Sequence, residues 1–427
     1  MEKYALFGGF VLTGHRDMAP QRGLAVLVED GKIRSIVSDT AIPTGFSKID
    51  LQGQYLMPGL INLHVHLAGS GKPKKKASDP VRAVKLVTAN GLTRKLGQAM
   101  VASYAKQQLL SGVTTIRTVG GIQNFDSLLR DKINAGSALG PRILAGNMAV
   151  SVPGGHMAGS LGHIAHTPEE AEAYVSQIAD SGADLIKLMI TGGVLDAVKQ
   201  GEPGVLKMEP AIIRAACIRA HELGLKVAAH VESPQGVRAA LENGVDTIEH
   251  GAMPDEDTLE LFRQTGASLV TTISPTLSFA LFDPTVSHAT PMQKYNGKIV
   301  MDGIVACAKA CLAAGIPVGL GTDTACPYVT QYDTWRELVY FRRFCGVTAA
   351  EALYTATLGN AQIAGIDRET GSIDPGKSAD LLVTRDNPLT DLTTLREPSM
   401  VIFRGRRIRS PKVSRIPQVD QELDNYL

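Results

Sequence analysis

Hydrophobic positions follow two rhythms along the chain. Between residues 60 and 323, short apolar runs alternate with helical patterns. The strand candidates are LINLHVHL (60–67), TTIRTVG (114–120), RILAGN (142–147), ADLIKLMI (183–190), KVAAHV (226–231), DTIEHGA (246–252), SLVTTISP (268–275) and VGLGTD (318–323). Helical patterns such as PEEAEAYVSQIADSG, EPAIIRAACIRAHELG and PDEDTLELFRQTG lie between most of them. Several end on glycine, as helix C-termini prefer. Eight buried strands alternating with helices predict an α/β fold, a parallel barrel of the (β/α)8 type. TWRELVYFRRFCG and TAAEALYTATLGNAQIAG would close it.

The two chain ends follow the other rhythm. YALFGGFVLT, GLAVLVEDGKIRSIVS and SKIDLQGQYLMPG are short β-branched runs cut by the turn pairs Asp30-Gly31 and Gly53-Gln54. GSIDPGKSADLLVTRDNPL and MVIFRGRRI are strand-like too. A closed barrel returns the chain to its start, so both ends can share one small β-domain. The expected organisation is a discontinuous β-sandwich of residues 1–57 plus 366–427 around a barrel of residues 58–365. No longer repeat and no low-complexity segment interrupts it.

Composition narrows the function classes. With 44% apolar and 20% charged residues the chain is of ordinary globular type. A net charge of +1 gives no reason to expect nucleic acid or an anionic membrane as partner. No basic stretch precedes an apolar N-terminal core, and no apolar run reaches ~18 residues, so neither export nor a membrane span is expected. Five cysteines without CxxC spacing are expected as reduced thiols in a cytoplasmic protein. Cys307 and Cys311, one helical turn apart, suit helix packing better than half a metal site.

In such barrels chemistry sits at the C-terminal ends of the strands. Strand one ends in His64 and His66, whose period-two spacing aims both rings to one side. Strand four carries Lys187, strand five ends in His230, strand six in His250 and strand eight in Asp323. Each has an ordinary explanation alone: a hydrogen-bonded histidine, a capping aspartate, a snorkelling lysine. Together, imidazoles and a carboxylate converging on one barrel mouth are what a borderline metal such as Zn²⁺ requires.

The motifs PGLINLHVH, LIKLMITGG, AAHVE, TIEHG and GTDT, in this order, resemble the amidohydrolase superfamily. The closer resemblance is to its imidazolonepropionase-like branch, with metal-dependent prolidase-type and arginine carboxypeptidase-type enzymes. GSIDPGKSADLLV resembles the split β-sandwich of these proteins, so the likeness runs from about Gly31 to Asp391. It implies two divalent metal ions, most readily zinc. His64, His66 and Asp323 would hold the first and His230 and His250 the second, with a CO₂-carboxylated Lys187 bridging both. It further implies that a metal-activated hydroxide attacks an amide carbonyl while Asp323 shuttles the proton to the leaving nitrogen.

Other positions follow from the same likeness. His156 in SVPGGHMAG, after strand three, would face the substrate and stabilise the oxyanion, as a catalytic and substrate-binding residue. Relatives often carry glycine where this chain has Met157. Thr191, Gly192 and Gly193 would shape the pocket floor. Tyr328, Tyr332 and Trp335, after strand eight, would line the pocket or pack on the barrel rim. The expected substrate is a small amide, an N-acyl amino acid or a dipeptide. Lys72, Lys74, Lys75 and Lys76 would attract its carboxylate or stand as a solvated charge run. Two alternatives stay open: a mononuclear cyclic-amide hydrolase, which Lys187 argues against, and a non-catalytic barrel, which has no use for Asp323. Oligomeric state is also open, large barrels often forming symmetric homo-oligomers.

Overall fold

The computed structural model describes residues 3–73 and 79–427. Six strands come first: β1 (Tyr4–Phe7), β2 (Phe10–Val11), β3 (Leu24–Glu29), β4 (Lys32–Ser38), β5 (Ser47–Asp50) and β6 (Tyr55–Pro58). Seven of the next ten are β7 (Leu60–Val65), β8 (Val113–Thr118), β9 (Arg142–Leu144), β10 (Ala149–Ser151), β11 (Gly162–Ile164), β12 (Leu185–Met189) and β13 (Lys226–Val231). They continue with β14 (Thr247–His250), β15 (Ser268–Thr271) and β16 (Val318–Leu320). The chain ends with β17 (Leu381–Thr384), β18 (Met400–Phe403) and β19 (Arg406–Arg409).

Both chain ends meet in one sandwich. One sheet has the order β4-β3-β1-β5, and the other, β19-β18-β17-β6-β2, mixes C-terminal and N-terminal strands. The β3–β4 hairpin turns at Asp30 (φ 53°) and Gly31 (φ 79°), two successive left-handed residues of the kind tight hairpins favour. Strand periodicity couples this unit to the barrel. Leu381 and Val383 enter the core between the sheets with Tyr4, Leu6 and Val26, while Leu382 between them joins the barrel core. The five-stranded sheet is therefore apolar on both faces.

The barrel is parallel throughout. Strands β7-β8-β9 form one ladder and β11-β10-β12-β13-β14-β15-β16 the other. The strand expected over 142–147 is split. β9 ends at Leu144, and β10 takes over the pairing with β12. Gly146 and Asn147 cause the break. A side chain at Gly146 would meet the Thr118 carbonyl at 2.4 Å, and Asn147 adopts φ 52°. The strand expected over 268–275 stops at Thr271, because Ser274–Ala280 is a helix with Pro275 in its first turn. The Glu337 carboxylate caps it, accepting the N–H groups of Ile273 and Ser274 at 2.5 and 2.9 Å.

A side chain closes the seam between β16 and β7. Asn360 Nδ2 donates to the carbonyls of Ile61 (2.7 Å) and Leu320 (2.9 Å), and its Oδ1 accepts from Leu320 N–H at 2.9 Å. Asn360 reaches the seam because the predicted closing helix is interrupted by a wide π turn at Thr355–Gly359. The last helix, Pro417–Asp424, packs Val419 and Leu423 into the barrel core, and Asp424 pairs with buried Arg336 at 2.6 Å. All five cysteines are free thiols. No helix among the described residues is long and apolar enough to cross a membrane.

Candidate active site

Parallel register aligns the chemistry. Met189 of β12 pairs with His230 of β13, and His230 pairs with Glu249 of β14. In-register neighbours share a face, so Lys187, His230 and Glu249 all point inward. By that alternation His250 should point outward. Instead its backbone turns left-handed at φ 68° and swings the ring back into the mouth. Asp323 does the same at φ 55°, just beyond β16, where its N–H and that of Thr322 donate to the His64 carbonyl. His and Asp tolerate this conformation better than most residues. Two of the six expected ligand-type residues thus owe their direction to it.

The structure brings all six together. Asp323 Oδ1 lies 3.1 Å from His66 Nε2 and 3.5 Å from His64 Nε2. The His250 ring centroid is 4.8 Å from that of His64 and 4.7 Å from that of His230. Each imidazole has one nitrogen engaged away from the cluster. His64 Nδ1 meets Glu249 Oε2 at 2.8 Å, His66 Nδ1 donates to the Gly120 carbonyl at 2.8 Å, and His250 Nδ1 meets Thr272 Oγ1 at 2.6 Å. His230 uses Nε2, toward the Gly192 carbonyl at 3.2 Å. A carbonyl can only accept, so it fixes the tautomer and leaves the other nitrogen a bare lone pair for a cation.

Electrostatics favour neutral rings and a reactive amine. Burial, followed by Lys187, pushes His64 down to about 4, and burial holds His230 and His250 well below the usual imidazole range. Lys187 is fully buried, its Nζ has no hydrogen-bond partner among the described residues, and burial lowers it to about 8. Burial opposes ionisation of Asp323, yet the imidazoles of His64, His66 and His250 hold it well below the usual carboxylate range.

Beneath the rings lies a layer that strand-end reasoning missed. Arg117 donates to Glu249 (2.7 Å), to the Leu63 carbonyl (2.7 Å) and to Thr247 (3.1 Å). Glu249 is thereby locked against His64. Burial would raise its carboxyl, but Arg117 and His64 bring it below the usual range. Its place becomes visible only in the folded register, where Glu249 lies beside His230. We expect Arg117→Met to destabilise the fold by about 3–5 kcal/mol, because a buried carboxylate loses its cation. Chemical denaturation measures this, and a loss below about 1 kcal/mol would mean that Glu249 is held by other means.

His156 also reaches the site. It lies between β10 and β11, stacks on His230 with centroids 4.3 Å apart, and sets Nδ1 2.5 Å from Asp196 Oδ2. Met157 behind it adopts φ 54°, a left-handed conformation that glycine takes more readily than methionine. Asp196 also accepts the Gly193 N–H at 2.9 Å, and burial notwithstanding, His156 holds its carboxyl low. Glu232, two residues after His230, completes the mouth. Its Oε2 is buried with no hydrogen-bond partner among the described residues, and burial with Asp323 and Asp196 nearby pushes it up to about 8. Two overlapping groups have metal-ligand proximity, His64 with His250 and Asp323, and His230 with Glu232 and His250.

The tyrosines take another role. The Tyr328 hydroxyl donates to the Val286 carbonyl at 2.9 Å, and the Tyr332 hydroxyl accepts from Ile416 N–H at 2.6 Å. Both phenols tie the β16 loop to neighbouring segments, and their hydroxyls do not meet the histidine cluster. Trp335 is buried beside Arg336 and donates to Asp333 at 3.2 Å. Thr191 accepts from Glu232 N–H at 3.0 Å, which ties the turn after β12 to the end of β13. Lys72 is exposed, while Lys74, Lys75 and Lys76 lie outside the described residues.

A parallel barrel gathering four imidazoles, a lysine and a carboxylate at its strand ends has the architecture of a hydrolytic barrel enzyme. The chain belongs to the Amidohydrolase family, whose model matches residues 55–408. It is an enzyme, a hydrolase of C–N bonds. Among solved structures it is similar to a putative prolidase from Bifidobacterium longum, at 38% identity and TM-score 0.88, with 100% of this chain and 99% of that one covered. It is also similar to a Xaa-Pro dipeptidase with methionine bound in the active site, at 27% identity and TM-score 0.83, covering 96% and 100%. Ochratoxinase of Aspergillus niger is 25% identical over 437 residues, 94% of this chain and 86% of that protein.

Proposed function

We propose that this chain hydrolyses the amide or peptide-like C–N bond of a small molecule, with two divalent ions, zinc by preference, held by His64, His66, Lys187, His230, His250 and Asp323. One observation carries the reading: a fully buried amine with no hydrogen-bond partner among the described residues, Lys187, stands among bare imidazole lone pairs and a carboxylate. A buried cation in that setting is costly. Carboxylation resolves it. The neutral amine would add to CO₂, forming an N–C bond as one C=O π bond opens and one proton leaves, and the resulting carbamate would offer two oxygens as ligands. The donor set, neutral nitrogens with hard oxygens, suits zinc. Such ions supply Lewis acidity and an activated water when bound.

The chain's own residues divide the remaining work. Asp323 accepts the proton released on attack and returns it to the leaving nitrogen. Asp196 holds His156 through Nδ1 and so orients the ring, whose other nitrogen would face the oxyanion. His156→Phe is expected to lower kcat by about 10²–10³-fold with metal content retained. Steady-state kinetics with metal analysis checks this, and an unchanged kcat would remove His156 from the chemistry. The prolidase, dipeptidase and ochratoxinase likenesses support a linear amide rather than a ring. The test is a screen of zinc-loaded enzyme against N-acyl amino acids, dipeptides and lactams, with Asp323→Asn as blank. Turnover confined to lactams would overturn the linear-amide reading.

A further inference from the structure

The residues on either side of Asp323 are tied through side chains to strand β7. Asn62, fully buried two residues before His64, donates through Nδ2 to Thr322 Oγ1 at 2.7 Å and to Thr334 Oγ1 at 3.1 Å. Its Oδ1 accepts the N–H groups of His64 and Thr322, both at 3.2 Å. Both amide hydrogens and both lone pairs of that oxygen are thereby used. Thr324, also fully buried, accepts the His66 N–H and donates to the His66 carbonyl, each at 3.1 Å. Farther along the loop, Gln331 Nε2 donates to the carbonyls of His66 and Gly69 at 2.8 and 2.7 Å, and its Oε1 accepts from Gln108 at 3.0 Å.

We infer that Asn62 and Thr324 are positioning residues for the proposed reaction, fixing the Asp323 carboxylate against His64 and His66. This rests on the amide-hydrolase reading. A non-glycine residue at φ 55° is held there by its surroundings, not by its own preference. The main chain alone does not hold it. The N–H groups of Thr322 and Asp323 converge on one acceptor, the His64 carbonyl, at 3.3 and 2.9 Å, and two bonds to one oxygen leave a pivot. Asn62 and Thr324 brace that pivot on both sides. A carboxylate misplaced by about 1 Å costs on the order of 10²-fold in rate. Asn360 supplies the contrast. It closes the same β16–β7 seam with three hydrogen bonds, all made to Ile61 and Leu320 and none of them to a neighbour of Asp323.

The test compares full-length, zinc-loaded Asn62→Leu, Thr324→Val and Thr324→Ser with the parent, each also in an Asp323→Asn background. N-acetyl-L-leucine and L-leucyl-L-leucine are the substrates, and Asn360→Leu is the control. Asn62→Leu and Thr324→Val are expected to lower kcat by about 10–100-fold with KM changed less than about 3-fold, and Thr324→Ser to recover most of the rate. In the Asp323→Asn background the same changes should cost less than about 3-fold more, because the group they aim is gone. Asn360→Leu should lower stability yet keep kcat within about 3-fold. Should Asn62→Leu not fold, Thr324→Val decides alone, since valine keeps the shape of threonine. Thr324→Val at the parent rate overturns the proposal, and so do equal further losses with and without the Asp323 carboxylate. Cobalt-loaded protein gives a readout independent of turnover. The visible absorption of Thr324→Val should differ from that of the parent, and that of Thr324→Ser should match it. If the parent cleaves neither substrate, the amide-hydrolase reading fails for this pair. Identical cobalt spectra in the parent and Thr324→Val would then overturn the positioning role as well.

Discussion

Lys187→Ala is expected to abolish the bridged metal pair and lower kcat/KM by at least about 10³-fold. The lysine is fully buried, its amine has no hydrogen-bond partner among the described residues, and it points to the same inward face as His230 and Glu249. Removing it deletes both oxygens that a carbamate would offer. Losing one ion forfeits about 4 kcal/mol of transition-state stabilisation, which is the stated factor in rate. The substitution also leaves a cavity the length of a lysine side chain beside charged groups. A short carboxylate such as propionate should enter it and restore part of the turnover. Two checks apply. Protein exchanged with ¹³C-bicarbonate should show a carbamate carbon that Lys187→Ala lacks, and the variant should keep about one ion per chain at most. A variant that turns over normally would exclude the bridging role.

Asp323→Asn is expected to lower kcat by about 10²–10⁴-fold, with a much smaller change in KM. The substitution keeps the shape and removes the proton acceptor. Its backbone φ of 55° suits asparagine as well as aspartate, so the loop should hold. His64, His66 and His250 together stabilise the carboxylate, and the Cys326 thiol donates to Oδ2 at 3.5 Å. A neutral amide in this place keeps the rings apart but cannot accept and return a proton. Kinetics under saturating zinc separates this from metal loss. If Asp323→Asn turned over at the parent rate, the proton would travel another way.

Much of this was legible in the chain because function concentrates where strands end. His64, His66, Lys187 and His230 follow from periodicity, since strand alternation points each of them inward. His250 and Asp323 were legible by residue type, although their direction depends on left-handed turns that no periodicity reveals. Glu249 was hidden for the same reason. It precedes His250, and strict alternation would have sent one of the two outward. Arg117 sits mid-strand in TTIRTVG, where an arginine reads as a break in an apolar run, not as the cation beneath a histidine cluster. Asp196 and Glu232 act across separate strand-end segments, so their meeting with His156 and His230 is a product of the closed barrel. The interrupted third strand and the Asn360 seam are tertiary in the same sense. Tyr328 and Tyr332 lie on a loop after strand eight that has several neighbours, and their hydroxyls reach Val286 and Ile416, partners far away in sequence.

Everything in the proposed chemistry turns on whether the six residues hold a metal pair. The direct measurement is reconstitution of metal-free protein with zinc in bicarbonate buffer, following bound zinc by elemental analysis and amide hydrolysis on the same samples. The account predicts that both rise together and level off at about two ions per chain. Full turnover at about one ion per chain, or without metal, would contradict it.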